Sequence, residues 1–164
     1  MDSAFAFEVF DKAPYVTVSM TRADGSAYGL PMTVVRTDDK HFYFHCAGEG
    51  EKLAAIRTNP RVCLSAVTRC QPTVGPKDGS FTLQFRSAVA FGRAETVTED
   101  EEKIAALRAI CIRYLPDNMH NFDEAIARSL DRTTVVRITL DCPPTGKRKQ
   151  YDSQGEEMKW GRVD

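Results

Sequence analysis

No apolar run in this 164-residue chain is longer than four residues, whereas a membrane-spanning helix needs about 20 and a signal peptide an apolar stretch of about 7–15. The chain therefore reads as soluble, unexported and not membrane-bound. It also lacks a surplus of one charge: 22 Lys and Arg stand against 23 Asp and Glu, a net charge of −1. A balance that even gives no global field to hold a polyanion, which argues against nucleic-acid binding. Cysteine is scarce and unpatterned. Cys46, Cys63, Cys70, Cys111 and Cys142 are odd in number and include no C-x-x-C, which excludes a disulfide framework or zinc knuckle and fits reduced thiols in a cytoplasmic protein. Missing too are the G-x-S-x-G of a hydrolase elbow, a P-loop and a G-x-G-x-x-G. There is no internal repeat.

What is present suffices for one globular domain over residues 1–164, with 42% hydrophobic and 27% charged residues and the length of a single core. Val16, Val18 and Met20 alternate with polar neighbours, the Ala23-Asp24-Gly25-Ser26 turn follows, and a second β-like run ends near Arg36. Pro31 in that run cannot donate to a ladder, so Leu30-Pro31-Met32-Thr33 belongs at an edge, a bulge or a docking place. His41 to Cys46 reads as a third strand. A short helix from Glu51 must stop before Asn59-Pro60. Arg61 to Thr68 is a strand, residues 69–80 a long loop suited to a lid or partner contact, and Phe81 to Val97 a strand bent at Gly92. A capping-box sequence, Thr98 to Glu101, opens a helix with the stripe Ile104, Leu107, Cys111 and Tyr114, ending at Leu115-Pro116. A second helix begins at Asn121. Val136, Ile138 and Leu140 mark a last strand, ended by Pro143-Pro144. The expected architecture is mainly β with helices: a small barrel of six antiparallel strands.

The stretch with most chemical content is His45-Cys46-Ala47-Gly48-Glu49-Gly50-Glu51-Lys52, a strand running through glycines into a helix start. Backbone N–H groups and the helix dipole favour an anion there, and Lys52 adds a positive charge. The same residues would equally make an ordinary capped turn, and Glu49 and Glu51 would repel a phosphate they faced. His41 and His45 are four apart, but on a strand that places them about 13 Å from each other, too far to share a metal ion. His45 is either a hydrogen-bonded strand end or a ligand contact. Cys46, Cys63 and Cys111 lie in apolar patterns and read as small core residues. Lys147-Arg148-Lys149 is a solvated cluster or a phosphate or partner contact. Trp160, in a charged tail, is either packed at a subunit interface or disordered.

In order and spacing, Tyr28-Gly29-Leu30-Pro31-Met32, then Phe42-Tyr43-Phe44-His45 with Ala47, Gly50 and Lys52, then Asn59-Pro60-Arg61-Val62, and Phe85 to Val89 running to Gly92-Arg93-Ala94, resemble the FMN-binding split-barrel family. That family includes pyridoxamine 5′-phosphate oxidase and, more closely, the 5-nitroimidazole resistance proteins. The resemblance covers roughly residues 14–95, with Thr145-Gly146-Lys147 a weaker addition. It implies a homodimer with flavin mononucleotide (FMN) in clefts between the subunits. Pro31, Met32, Thr33 and Val34 would line the flavin ring through backbone groups. His45, Cys46, Ala47, Gly50, Glu51 and Lys52 would hold the phosphate end, and Arg86 and Ser87 would join from the neighbouring strands. His45 would meet substrate as the catalytic-site residue. Leu30 and Glu51 stand where the pyridoxamine-phosphate oxidases tend to be basic, so pyridoxamine phosphate is a poor substrate expectation. The implied activity is FMN-dependent reduction of a small electron-poor compound such as a nitroimidazole, with NAD(P)H as the candidate donor. The alternative is a non-catalytic flavin or haem binding or sensing protein.

Overall fold

The computed structural model describes residues 2–74 and 81–149. Trp160 and the rest of the charged tail lie outside them, as do residues 75–80.

The chain opens with a helix that the periodicity above does not announce. α1 (Ser3–Lys12) is capped by Asp2, whose carboxylate accepts from the Phe5 N–H at 2.9 Å. It buries Phe5, Ala6, Phe7, Val9 and Phe10. Apolar residues fall on most of its circumference, so no clean 3.6-residue stripe is left in the sequence.

β1 (Val16–Thr21) alternates as expected, with Val16, Val18 and Met20 buried. β2 (Ala27–Met32) pairs only with β1, placing Pro31 opposite Thr17 on an edge strand, where its missing N–H costs least. β3 (Val35–Arg36) and β4 (His41–Ala47) are joined by the turn in which Asp38 accepts from the Lys40 and His41 N–H groups. α2 (Glu51–Thr58) stops one residue before Asn59-Pro60.

β5 (Arg61–Val74) and β6 (Phe81–Thr96) form a long antiparallel hairpin. Residues 69–74, expected in a loop, continue β5. The irregularity also lies elsewhere than expected: the register shifts between Val67 and Arg69, so the bulge is at Thr68. Gly92 instead permits a close approach, because a Cβ there would overlap the Thr139 carbonyl oxygen and meet Ile138 Cγ2 at 3.1 Å.

α3 (Asp100–Tyr114) starts at Glu99, which makes no side-chain cap bond, so the capping box is not formed; Thr98 reaches only Glu99. α4 (Phe122–Ser129) follows a 3-10 turn over Pro116–Asn121. β7 (Thr133–Leu140) is not the last strand: β8 (Thr145–Lys149) pairs with β6.

The result is an eight-stranded antiparallel sheet in the order β2-β1-β5-β6-β7-β4-β3, with β8 branching from β6. It is the split-barrel type expected, with eight strands rather than six, and the sheet does not close on itself. The split is visible on β6. Residues 85–89 pair with β8 and residues 92–96 with β7, along one edge.

Two cores result. Phe42 and Phe44 of β4 face the larger one with α1, β1 and Ile138; Phe10 meets Phe42 edge-on with ring centroids 5.2 Å apart. Tyr43 and Val135 face the smaller one, under α3 and α4. Each Phe or Val fully buried in such a core contributes about 1.5–3 kcal/mol.

Candidate functional site: the strand-to-helix junction at His45–Lys52

Alternation along β4 sorts the candidate residues. Cys46 follows Phe42 and Phe44 onto the larger core, half-buried against it, while His45 shares the face of Tyr43 and is exposed. Ala47, Gly48, Glu49 and Gly50 continue outward as an exposed turn. Gly50 has φ +136° with nothing within 4 Å of the position a Cβ would take. That conformation favours glycine, and the space beside it is open.

Gly50 is also the N-cap of α2, and it offers no side-chain bond. The first bonds inside the helix are from the Leu53 and Ala54 N–H groups to the Gly50 carbonyl, so the N–H groups of Glu51 and Lys52 precede the helical ladder. The Glu51 carboxylate is countered by the Arg22 guanidinium that holds it, which also lies 4.5 Å over the Tyr28 ring. The objection that Glu51 would repel an anion is thereby weakened. Lys52 is half-buried, and among the described residues no carboxylate pairs with it.

Electrostatics ties these side chains into one group. Although His45 is exposed as a residue, partial desolvation of its imidazole, followed by the nearby Lys52 ammonium, pushes it below the ordinary histidine range. Burial pushes the Cys46 thiol up, partly opposed by the same ammonium. Both shifts run toward the uncharged forms, the neutral imidazole of His45 and the protonated thiol of Cys46. No group of three or more His, Cys, Asp or Glu side chains able to hold a metal occurs among the described residues.

The second candidate segment, Pro31 to Val34, contributes to the same body. Met32 packs against the core that also takes Cys46, and Val34 is fully buried within it. Thr33 and Val34 lie between β2 and β3, outside any strand ladder, but only Thr33 is exposed; Val34, expected to line the flavin ring, is sealed in the core and cannot touch a ligand.

Arg86 and Ser87 are not gathered at the β4–α2 junction. Arg86 contacts Glu8 at 3.3 Å and stacks 5.0 Å over Phe5, and Ser87 donates to the Lys147 carbonyl at 3.4 Å. Within one chain their contacts thus run to α1 and β8.

The contacts of two residues carried no sequence signal. Arg113 donates to the Val34, Phe10 and Ala13 carbonyls at 3.0, 2.7 and 2.8 Å, and Tyr114 donates to the Val34 carbonyl at 2.9 Å. Tyr114 ends a helix stripe that reads simply as core, and Arg113 beside it is the basic residue of the last turn. Their partners lie about 80 to 100 residues away in the chain, and backbone carbonyls leave no mark in the sequence.

A family-wide sequence model described as pyridoxamine 5′-phosphate oxidase matches residues 2–143. Among curated proteins, none matches the chain in sequence. The fold is similar to that of a candidate 5-nitroimidazole antibiotic resistance protein from Bacteroides thetaiotaomicron. That similarity has a TM-score of 0.74 at 25% identity, over 88% of this chain and 82% of the other. The flavocytochrome Anf3 from Azotobacter vinelandii aligns with a TM-score of 0.77 at 19% identity, over 99% and 70% of the two chains. An FAD and haem binding protein from Mycobacterium smegmatis aligns with a TM-score of 0.75 at 20% identity, over 95% and 71%. The family match runs from α1 through the whole of β7 and so takes in every element that builds the junction; the chain belongs to the pyridoxamine 5′-phosphate oxidase family.

Proposed function

We propose that the protein binds FMN at the β4–α2 junction and acts as an oxidoreductase on a small electron-poor compound such as a nitroimidazole. The observation that carries this reading is Lys52: a half-buried residue whose ammonium has no carboxylate partner among the described residues, beside a helix start whose first N–H groups are uncapped and whose glycine has open space among those residues. Such a site fits a phosphate.

A bound flavin would supply hydride or electron transfer at its ring. The chain's own residues would do the rest. Lys52 and the Glu51 and Lys52 N–H groups hold the phosphate end, and the backbone of Pro31, Met32 and Thr33 orients the ring, with the buried Val34 anchoring that segment. His45, with its neutral imidazole, meets the substrate. The likeness to the Bacteroides protein supports the substrate class, and the five free thiols fit a reducing, cytoplasmic setting.

The reading includes a homodimer. His45 and the Ala47–Gly50 turn form an open shelf, which needs a second wall to exclude water from a flavin ring. Val67, Leu83 and Phe91 project together from the outer face of the β5–β6 hairpin, 49%, 46% and 52% exposed, and a second copy would cover them. Arg86 and Ser87 would then approach the flavin from the other chain. Light scattering of the flavin-loaded protein should give twice the chain mass. A monomeric mass with flavin retained refutes the two-chain cleft.

The whole reading is tested by the absorption spectrum of the purified protein and by anaerobic reduction of a nitroimidazole with NADH or NADPH. Bound flavin with turnover supports it. A protein that neither carries nor takes up flavin refutes it. A second reading keeps binding without turnover, because an exposed neutral imidazole such as His45 is also the group that ligates haem iron; a Soret band lost in His45→Ala would favour that alternative.

A further inference from the structure

We infer that Arg113 and Tyr114, at the C-terminal end of α3, are positioning residues that hold the buried Val34 and thereby set how the exposed Thr33 beside it presents its backbone to the flavin ring. The inference rests on the flavin reading above and extends it to residues that lie on neither the junction nor the ring-lining segment.

The geometry is unusual for an arginine. Among the described residues Arg113 has no carboxylate partner; its guanidinium donates only to main-chain carbonyls, of Val34 at 3.0 Å, Phe10 at 2.7 Å and Ala13 at 2.8 Å. The Tyr114 hydroxyl donates to that same Val34 carbonyl at 2.9 Å, and the guanidinium lies 4.9 Å from the Tyr114 ring centroid. Both acceptor sites of one carbonyl oxygen are therefore filled from α3.

A planar peptide unit whose oxygen is held by two donors has little freedom to rotate. Thr33 and Val34 have no ladder of their own, because β2 ends at Met32 and β3 begins at Val35. The joint is held at its ends by the Met32–Val16 and Val35–Tyr43 pairs and by the Val34 side chain in the core, and Arg113 and Tyr114 add the side-chain hold on the Val34 carbonyl itself. The same guanidinium ties the joint to the end of α1 through Phe10 and Ala13, so the segment is referenced to two helices at once.

A purely structural role lowers the urea midpoint and leaves the potential of bound flavin unchanged, whereas a positioning role shifts that potential; the choice of ligand then separates an effect at the ring from one at the phosphate. A change in ring presentation weakens FMN and riboflavin alike, since both carry the ring, whereas damage at Lys52 weakens FMN alone. The test titrates FMN and riboflavin into parent, Tyr114→Phe and Arg113→Lys protein, alongside the urea midpoint of each flavin-free protein and the flavin midpoint potential.

Tyr114→Phe keeps the ring and loses one donor, and should raise both dissociation constants about 3- to 10-fold, with a shifted flavin potential. Arg113→Lys keeps the charge and loses the fork, and should weaken both ligands at least as much. Unchanged flavin affinities and potential in both variants, with only the urea midpoints lowered, overturn the positioning role while leaving flavin binding intact. If the parent binds neither ligand, the flavin reading fails and this inference falls with it.

Discussion

Replacing Lys52 by alanine separates a phosphate site from an ordinary helix start. In the phosphate reading the ammonium makes a charge-assisted hydrogen bond, and its loss should cost about 1.5–3 kcal/mol, a roughly 10- to 150-fold rise in the FMN dissociation constant. The upper part of that range is favoured because Lys52 is half-buried and has no carboxylate among the described residues to compete for it. Riboflavin, which has no phosphate, should bind parent and variant almost equally. If Lys52 only occupies the first turn of α2, its positive charge opposes the helix dipole, and removing it should leave flavin affinity unchanged and could raise stability. The two accounts differ in sign as well as size. A second readout needs no ligand: the Lys52 ammonium is one of the two causes depressing the His45 imidazole, so the His45 resonance in Lys52→Ala should titrate at higher pH than in the parent. Fluorescence titration with both flavins, together with a proton NMR pH series, decides the matter. Equal FMN affinities in parent and variant would refute the phosphate assignment, and an equal loss for FMN and riboflavin would show general damage instead.

Three further outcomes follow from the geometry. His45→Ala, on an exposed strand face, should leave the fold intact and lower nitro-compound turnover by more than it lowers FMN affinity; equal turnover would return His45 to a plain strand end. Because the folded chain holds the His45 proton less tightly than the unfolded chain, the unfolded state binds more protons below about pH 6.5, so this group's contribution makes stability fall as pH drops through that range. His45→Gln should remove that component, seen as a smaller loss of urea midpoint between about pH 7 and about pH 5 than in the parent, and a larger loss would refute it. Gly92→Ala places a methyl against the Thr139 carbonyl oxygen and should cost about 1–3 kcal/mol in urea unfolding, whereas an unchanged midpoint would show that β6 and β7 can spread apart there.

The parts of the fold legible in the sequence were those whose cause is local. The alternation of β1, the aromatic strand β4, and the stop of α2 at Asn59-Pro60 each depend on neighbouring residues, and each stands where expected. What stayed hidden depended on distant partners. α1 is buried on too much of its surface to show a helical period, and β8 reads as a solvated basic cluster because an edge strand carries just such lysines. The bulge at Thr68 likewise follows from how two long strands align rather than from a glycine. The candidate site divides in the same way. His45 to Lys52 is one continuous stretch and could be read directly, whereas the Arg22 clamp on Glu51 and the Arg113 hold on Val34 join elements far apart in the chain.

The network around Arg137 shows how the smaller core is held. Its guanidinium bonds Glu102 of α3 at 2.7 Å and Glu95 of β6 at 2.8 Å, and Tyr43 donates to the same Glu102 carboxylate at 2.9 Å. Burial, together with Glu102, pushes the Tyr43 hydroxyl up to about 12, so the tyrosine stays a donor across any pH at which the protein would work. Three elements are thus pinned to the helix that carries Arg113 and Tyr114.

Gly146 of β8 faces α1 so closely that a Cβ there would strike the Phe5 ring, with its Cε1 at 2.8 Å. α1 is therefore finished by β8, which lies far along the chain and is synthesised much later. Until residues 145–149 have emerged, Phe5 lacks that cover and the 85–89 edge of β6 is unpaired, so the nascent chain presents an apolar helix face and a bare strand edge together for much of its synthesis. Both are surfaces on which chaperones act and from which aggregates grow. Yield in a cell should accordingly be more sensitive to changes at Gly146 than the exposed, polar character of its strand suggests.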